Sequence, residues 1–73
     1  MTGMRVNVKQ LRVRLGMTQE QFSARFGVNL GTLRAWEQGR RSPHDSACSL
    51  LAVIAFSPEN VDQAVQVAKT AAW

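Results

Sequence analysis

Residues Thr18 to Gly39 read TQEQFSARFGVNLGTLRAWEQG, and their spacing decides the fold. Phe22 and Phe26 lie four apart, ahead of Gly27. Leu33 and Trp36 lie three apart, ahead of Gly39. Side chains at these separations share one helical face, so each half of the segment predicts a short amphipathic helix. Thr18 stands where an N-cap belongs. Gln21, three residues on, completes the capping box in which each side chain bonds the other's backbone amide. Gly27 supplies the tolerance of positive φ that a sharp turn requires, and Asn29 is a suitable cap for the second helix.

Two short helices around such a turn make a helix-turn-helix. Their close crossing needs a small residue on the inner face of the first, and Ser23 is small. Phe22, Phe26, Val28, Leu33 and Trp36 are spaced to clamp the pair, which makes Trp36 a core residue. Leu30, Gly31, Arg34, Ala35 and Gln38 fall on the outer side of the second helix, the side offered to a DNA major groove.

The same punctuation continues outward. Asn7 caps a first helix over about Val8–Leu15, with Val8, Leu11 and Leu15 in one stripe and Gly16 as its stop. Downstream, Ser42-Pro43 reads as the N-cap and first-turn proline of a fourth helix reaching about Ala55, apolar on most sides. Ser57-Pro58-Glu59 opens a fifth, with Val61, Ala64, Val65, Ala68 and Ala72 on one face. No run alternates as a strand would. The expected fold is all-α, a compact bundle of five short helices forming a single domain over 1–73, with the helix-turn-helix at 18–39. The helix at 57–73 is the expected dimerisation element.

A chain of 73 residues buries only about 60% of its unfolded surface. One cysteine, Cys48, allows no internal disulfide and no zinc cluster, and it reads as a small buried side chain. Helix packing aided by self-association is the remaining route to stability. The longest apolar run, Leu50 to Phe56, is far short of the about 20 residues a bilayer span needs. No signal peptide opens the chain, so a cytoplasmic protein is expected. His44 is the sole histidine, the acids are scattered, and no phosphate loop or nucleophile elbow is present. Neither an enzyme, a metal site nor a cofactor is expected.

Charge points to a polyanion. Residues 1–41 carry Arg5, Lys9, Arg12, Arg14, Arg25, Arg34, Arg40 and Arg41 against Glu20 and Glu37, a balance of +6. Residues 42–73 carry Lys69 against Asp45, Glu59 and Asp62, a balance of −2. The basic half holds the helix-turn-helix, which is where a phosphate backbone would lie.

The stretch from about Val8 to Ile54 resembles the DNA-binding domain of the phage Cro and repressor superfamily, the XRE-like, lambda repressor-like fold. Within it, TLRAWEQGRRSP (Thr32–Pro43) is similar to the branch containing HigA-type antitoxins. There a Trp-Glu-x-Gly-x-Arg-x-Pro run closes the recognition helix, and Trp36, Glu37, Gly39, Arg41 and Pro43 match it. SLLAVIAFSPENV (Ser49–Val61) resembles the same branch. The sequence departs from the family at Ser23, where alanine is usual and where the hydroxyl can bond back to a helix carbonyl. It departs again at Leu30, Gly31 and Ala35, where family members often carry polar base-reading side chains.

The resemblance implies an autoregulatory repressor of double-stranded operator DNA, the antitoxin partner of a RelE-like ribonuclease toxin in a HigB/HigA-type pair. A free-standing Cro-like regulator would share all but the toxin, and a protein-interaction module would share the fold without binding DNA. Family placement and helix-end physics put backbone amides at Thr18 and Gln19 against a phosphate. Arg34 is the best base reader, because a guanidinium matches guanine O6 and N7. The alternative for Arg34 is a solvated or phosphate-facing side chain. Asn29 and Thr32 can add polar contacts, Leu30 can touch a thymine methyl, and Gly31 and Ala35 allow close approach. Gln38, Arg40 and Arg41 suit phosphate clamping beside the groove, whereas Arg14 and Arg25 read as general electrostatics. The family also implies an ion pair between Arg12 and Glu37. Two half-sites about 34 Å apart call for a two-fold homodimer. Leu51, Ile54, Phe56, Val61, Val65 and Ala68 of the last two helices are the expected contacts. Trp73 has no assignable role.

Overall fold

The computed structural model describes residues 6–71. Ala72 on the expected fifth-helix face, Arg5 and Trp73 lie outside them. Five α-helices follow one another: α1 (Val8–Arg14), α2 (Gln19–Phe26), α3 (Leu30–Glu37), α4 (Asp45–Phe56) and α5 (Pro58–Thr70). No described residue lies in a strand.

The first three helices begin on side-chain caps. Asn7 Oδ1 accepts from the Gln10 amide at 2.9 Å. Thr18 Oγ1 accepts from the Gln21 amide at 3.1 Å while Gln21 Oε1 accepts from the Thr18 amide at 2.9 Å, closing the full capping box. Asn29 Oδ1 accepts from the Thr32 amide at 3.1 Å. Gly27 ends α2 with φ of 69°, which carries the chain into α3. A Cβ at this position would touch Val65 Cγ1 at 3.4 Å, so the turn glycine also lies against α5.

The fourth helix starts later than Ser42-Pro43 predicts. The chain leaves α3 through Gly39 at φ of 75°, and the Arg40 and Arg41 amides fold back on the Ala35 carbonyl at 3.0 and 3.4 Å. Residues 40–44 are then needed as a connector. His44, in extended conformation, is the N-cap, and Asp45 opens the helix with its negative charge near the exposed amides. The fifth helix opens at Pro58 as read, but Ser57 makes no side-chain cap. Its hydroxyl accepts instead from Asn60 Nδ2 at 2.8 Å.

The core centres on Phe22, Phe26, Leu33, Leu51 and Ile54, each at most 1% exposed. Val8, Leu11, Val28 and Val61 complete it, with Leu15, Met17, Trp36 and Val65 packed on its margin. The Phe22 and Phe26 rings meet edge to face, 4.8 Å between centroids, a preferred aromatic geometry. Contacts run α1 to α3, α2 to α3, α2 to α5 and α4 to α5.

The expected dimer surface is corrected here. Leu51, Ile54 and Val61 are buried inside one chain, and Val65 packs against the same core. Of the six expected contacts only Phe56 and Ala68 are exposed. Helix α4 carries two apolar stripes. Cys48, Leu51 and Ile54 face inward, whereas Leu50, Val53 and Phe56 face outward, the last 92% exposed. Periodicity shows both stripes and does not choose between them. Cys48 is buried as expected, its thiol 3.4 Å from the Pro43 carbonyl.

Candidate nucleic-acid interface

Helices α2 and α3 are locked at their turn and at their far ends. At the turn, the Ser23 hydroxyl donates to the Val28 carbonyl. The sequence suggests a bond within its own helix. The actual partner lies in the turn, so the serine ties α2 to the turn that leads into α3. At the far end, Arg12 of α1 grips Glu37 of α3. Nε donates to Oε2 at 2.7 Å, Nη2 donates to Oε1 at 2.8 Å, and Nη1 donates to the Met17 carbonyl at 2.9 Å. The two side chains are only 13% and 5% exposed. This is a forked, charge-assisted pair with fixed geometry. The Arg12 hydrogen bonds hold the Glu37 carboxyl below the usual carboxylate range, against the opposing cost of burial, and a bond from Gln19 adds to the effect. The pair in turn raises Arg12 above its usual value. The bond joins residues 25 apart in sequence and fixes α1 against the end of α3.

That frame sets where the side chains expected to meet DNA sit. Thr18 is exposed at the start of α2, but the capping box occupies both its hydroxyl and its backbone amide, so the amide expected to meet a phosphate is already taken. Gln19 is half-buried with both ends of its amide engaged. Nε2 donates to Glu37 Oε1 at 3.3 Å, and Oε1 accepts from Arg34 Nε at 3.3 Å. What Gln19 can offer a phosphate is therefore its backbone amide in the first turn of α2. Asn29 is exposed, but its Oδ1 is committed to the α3 cap, and Leu30 and Thr32 are half-buried beside it. Gly31 is exposed, and a Cβ there would sit 3.2 Å from Asn29 Oδ1, so its bareness keeps the cap undisturbed. Arg34 stands 44% exposed on α3. Gln38, Arg40 and Arg41 are exposed just beyond the helix.

Ala35 is a correction. It is 6% exposed and offers almost no surface to a groove. Its carbonyl receives the Arg40 and Arg41 amides, which closes the C-terminus of α3. Arg25 is likewise not merely solvated. It pairs with Asp62 of α5 at 3.6 Å, and Lys69 of α5 donates to the Ala24 carbonyl at 3.3 Å. These exposed contacts tether α5 to α2. Sequence reading also passed over Glu20, whose carboxylate lies 3.2 Å from Arg34 Nη2. The two residues are 14 apart on different helices, so no local spacing signals the pair.

Residues 8–54, from α1 to the end of the inward stripe of α4, match the helix-turn-helix family. The chain belongs to the XRE-type helix-turn-helix family of DNA-binding regulators. A solved structure of an XRE-family-like helix-turn-helix protein from Agrobacterium tumefaciens is 46% identical and superposes with a TM-score of 0.79. The alignment covers 84% of this chain and 98% of that one. No curated relative matches the sequence. In this XRE-type domain α2 and α3 are the paired helices of the helix-turn-helix, and the Arg12–Glu37 fork joins α1 to the end of α3. No helix of the described residues is long and apolar enough to cross a membrane.

Proposed function

We propose that this chain is a sequence-specific repressor that binds a two-fold operator as a homodimer and controls its own promoter. The observation that carries this reading is the set of exposed cations on and just after the recognition helix. Arg34 stands on α3 itself, and Arg40 and Arg41 follow its C-terminus, all three exposed. Arg34 reads a base edge, and Gln38, Arg40 and Arg41 grip phosphates with the backbone amide of Gln19. Asn29, Leu30, Gly31 and Thr32 line the approach.

Dimerisation is supported by the outward stripe of α4. Leu50, Val53 and Phe56 leave apolar area exposed that a lone domain of this size has no use for. Ala68 of α5 is the remaining exposed member of the expected set. The finer reading is the antitoxin of a HigB/HigA-type pair, supported by the run from Trp36 to Pro43 and by Ser49–Val61. It requires that a RelE-like ribonuclease encoded beside this chain co-purify with it. Absence of such a partner returns the chain to a free-standing Cro-like regulator.

The deciding experiment titrates the protein with its own upstream promoter duplex and with a scrambled duplex, at two salt concentrations. Tight, salt-dependent promoter binding with much weaker scrambled binding is expected, the slope reporting the phosphates neutralised. Arg34→Ala flattens the preference, whereas Arg40→Ala or Arg41→Ala weakens both duplexes alike. Equal losses on both duplexes for Arg34→Ala would falsify the base-reading role.

A further inference from the structure

The side chain given the base-reading role is already oriented before DNA arrives. A guanidinium presents its five N–H groups along two usable edges. One edge pairs Nε with Nη2, and the other pairs Nη1 with the second hydrogen of Nη2. In Arg34 the first edge is taken up by the first turn of α2. Nε donates to Gln19 Oε1 at 3.3 Å, and Nη2 donates to Glu20 Oε2 at 3.2 Å. The second edge has no protein partner among the described residues. It consists of two parallel donors, the pattern that guanine O6 and N7 accept together.

The support behind Arg34 runs into the core. Gln19 Nε2 donates to the Glu37 carboxylate, which Arg12 holds in a fork. Glu37 accepts and does not donate, so it fixes which end of the Gln19 amide points where. The amide nitrogen faces Glu37, and the amide oxygen faces Arg34. Glu20 has no such backing. It is 65% exposed, and a carboxylate on the phosphate-facing side of the domain opposes every DNA contact.

Building on the base-reading role of Arg34, we propose that Glu20 is a specificity-determining positioning residue. With Gln19 it turns the free edge of Arg34 outward, so that Arg34 reads one guanine bidentately instead of settling on a phosphate. Glu20 thereby lowers affinity for all DNA while raising the contrast between the operator and other sequences.

The test uses the full chain and a duplex pool randomised over about two helical turns, from which the wild-type protein selects its best binder. That duplex and its scrambled counterpart are then titrated with the wild type, E20A, E20Q, R34A and the E20A/R34A double variant, each checked for an unchanged helical melting curve. Glu20→Ala is expected to tighten scrambled binding and to cut the selected-to-scrambled ratio about fivefold or more, since a bidentate base contact carries about 1–3 kcal/mol of discrimination. Glu20→Gln keeps an acceptor oxygen for Nη2 and removes the charge. It should tighten scrambled binding equally yet hold the ratio near that of the wild type. In the Arg34→Ala background, Glu20→Ala should leave the ratio unmoved.

Equal loss of the ratio in E20Q and E20A overturns the proposal, because charge alone then explains the effect. So does a further loss in the double variant, which would make Glu20 act apart from Arg34. A lowered ratio in R34A with none in E20A overturns the positioning role and leaves the base-reading role standing. An unchanged ratio in R34A, or a wild type that selects no sequence, overturns both together.

Discussion

The two ends of this small domain are built in different ways. Helices α1, α2 and α3 each start on a side chain that accepts from a backbone amide three residues on, at 2.9 to 3.1 Å. Helices α4 and α5 start on His44 and Ser57, neither of which makes a side-chain cap. The first group is also tied by polar bonds between elements: Arg12 to Glu37, Ser23 to Val28 in the turn, and Gln19 between Glu37 and Arg34. The second group is held chiefly by apolar burial, through Cys48, Leu51, Ile54 and Val61. The end that holds the helix-turn-helix is thus specified locally and by directional bonds, which suits the proposed role of presenting side chains at fixed angles. The other end has only to fill the space behind it.

Three tests would sharpen that contrast. The largest effect is expected in the end held by burial. Leu51→Ala empties a fully enclosed site and should cost about 2–5 kcal/mol. A domain of this size has only about 4–11 kcal/mol in total. Urea denaturation should therefore show the midpoint falling sharply, with loss of α1–α3 as well as α4–α5. A variant that melts α4 and α5 alone would show that the helix-turn-helix stands by itself.

Next comes the directional end. Glu37→Gln removes the anion from an enclosed arginine and should cost about 3 kcal/mol. Its signature is pH dependence. Because the folded Glu37 carboxyl lies below its ordinary value, its contribution is complete at neutral pH, above the unfolded value, and is lost as pH falls through the folded value. Stability of the wild type measured by denaturant titration should decline toward acid more steeply than that of Glu37→Gln. Parallel acid limbs would mean that the fork contributes geometry alone.

The smallest effect compares caps directly. Thr18→Ala should cost about 1 kcal/mol, because the Gln21 amide loses its acceptor. Ser57→Ala, at the corresponding position of α5, should stay within about 0.5 kcal/mol. Its hydroxyl bonds only an exposed asparagine side chain. Thermal melts of the two variants side by side test the claim, and equal losses would contradict it.

The legibility of the chain follows the same division. Caps, stops and the turn are chemical signals contained within three or four residues, so Asn7, Thr18, Gln21, Gly27 and Asn29 could be placed from sequence. The Arg12–Glu37 fork joins residues 25 apart and has no local signal; only resemblance to a family pointed to it. Ala35 falls on the outer side of a helical wheel, but in the folded domain it is buried. Ser42-Pro43 carried a valid start signal that the path from α3 to α4 overrode, because residues 40–44 had to span the distance.

The amino-acid sequence by itself determined five helices, their order, the turn between α2 and α3 and the concentration of positive charge in the first half, since helix periodicity, capping and charge are properties of neighbouring residues. Tertiary structure alone decided which stripe of α4 is core and which is surface. It also decided that Arg25 holds α5 and that Glu20 and Gln19 hold Arg34. Each of these depends on where a second helix lies, and no stretch of a few residues contains that information.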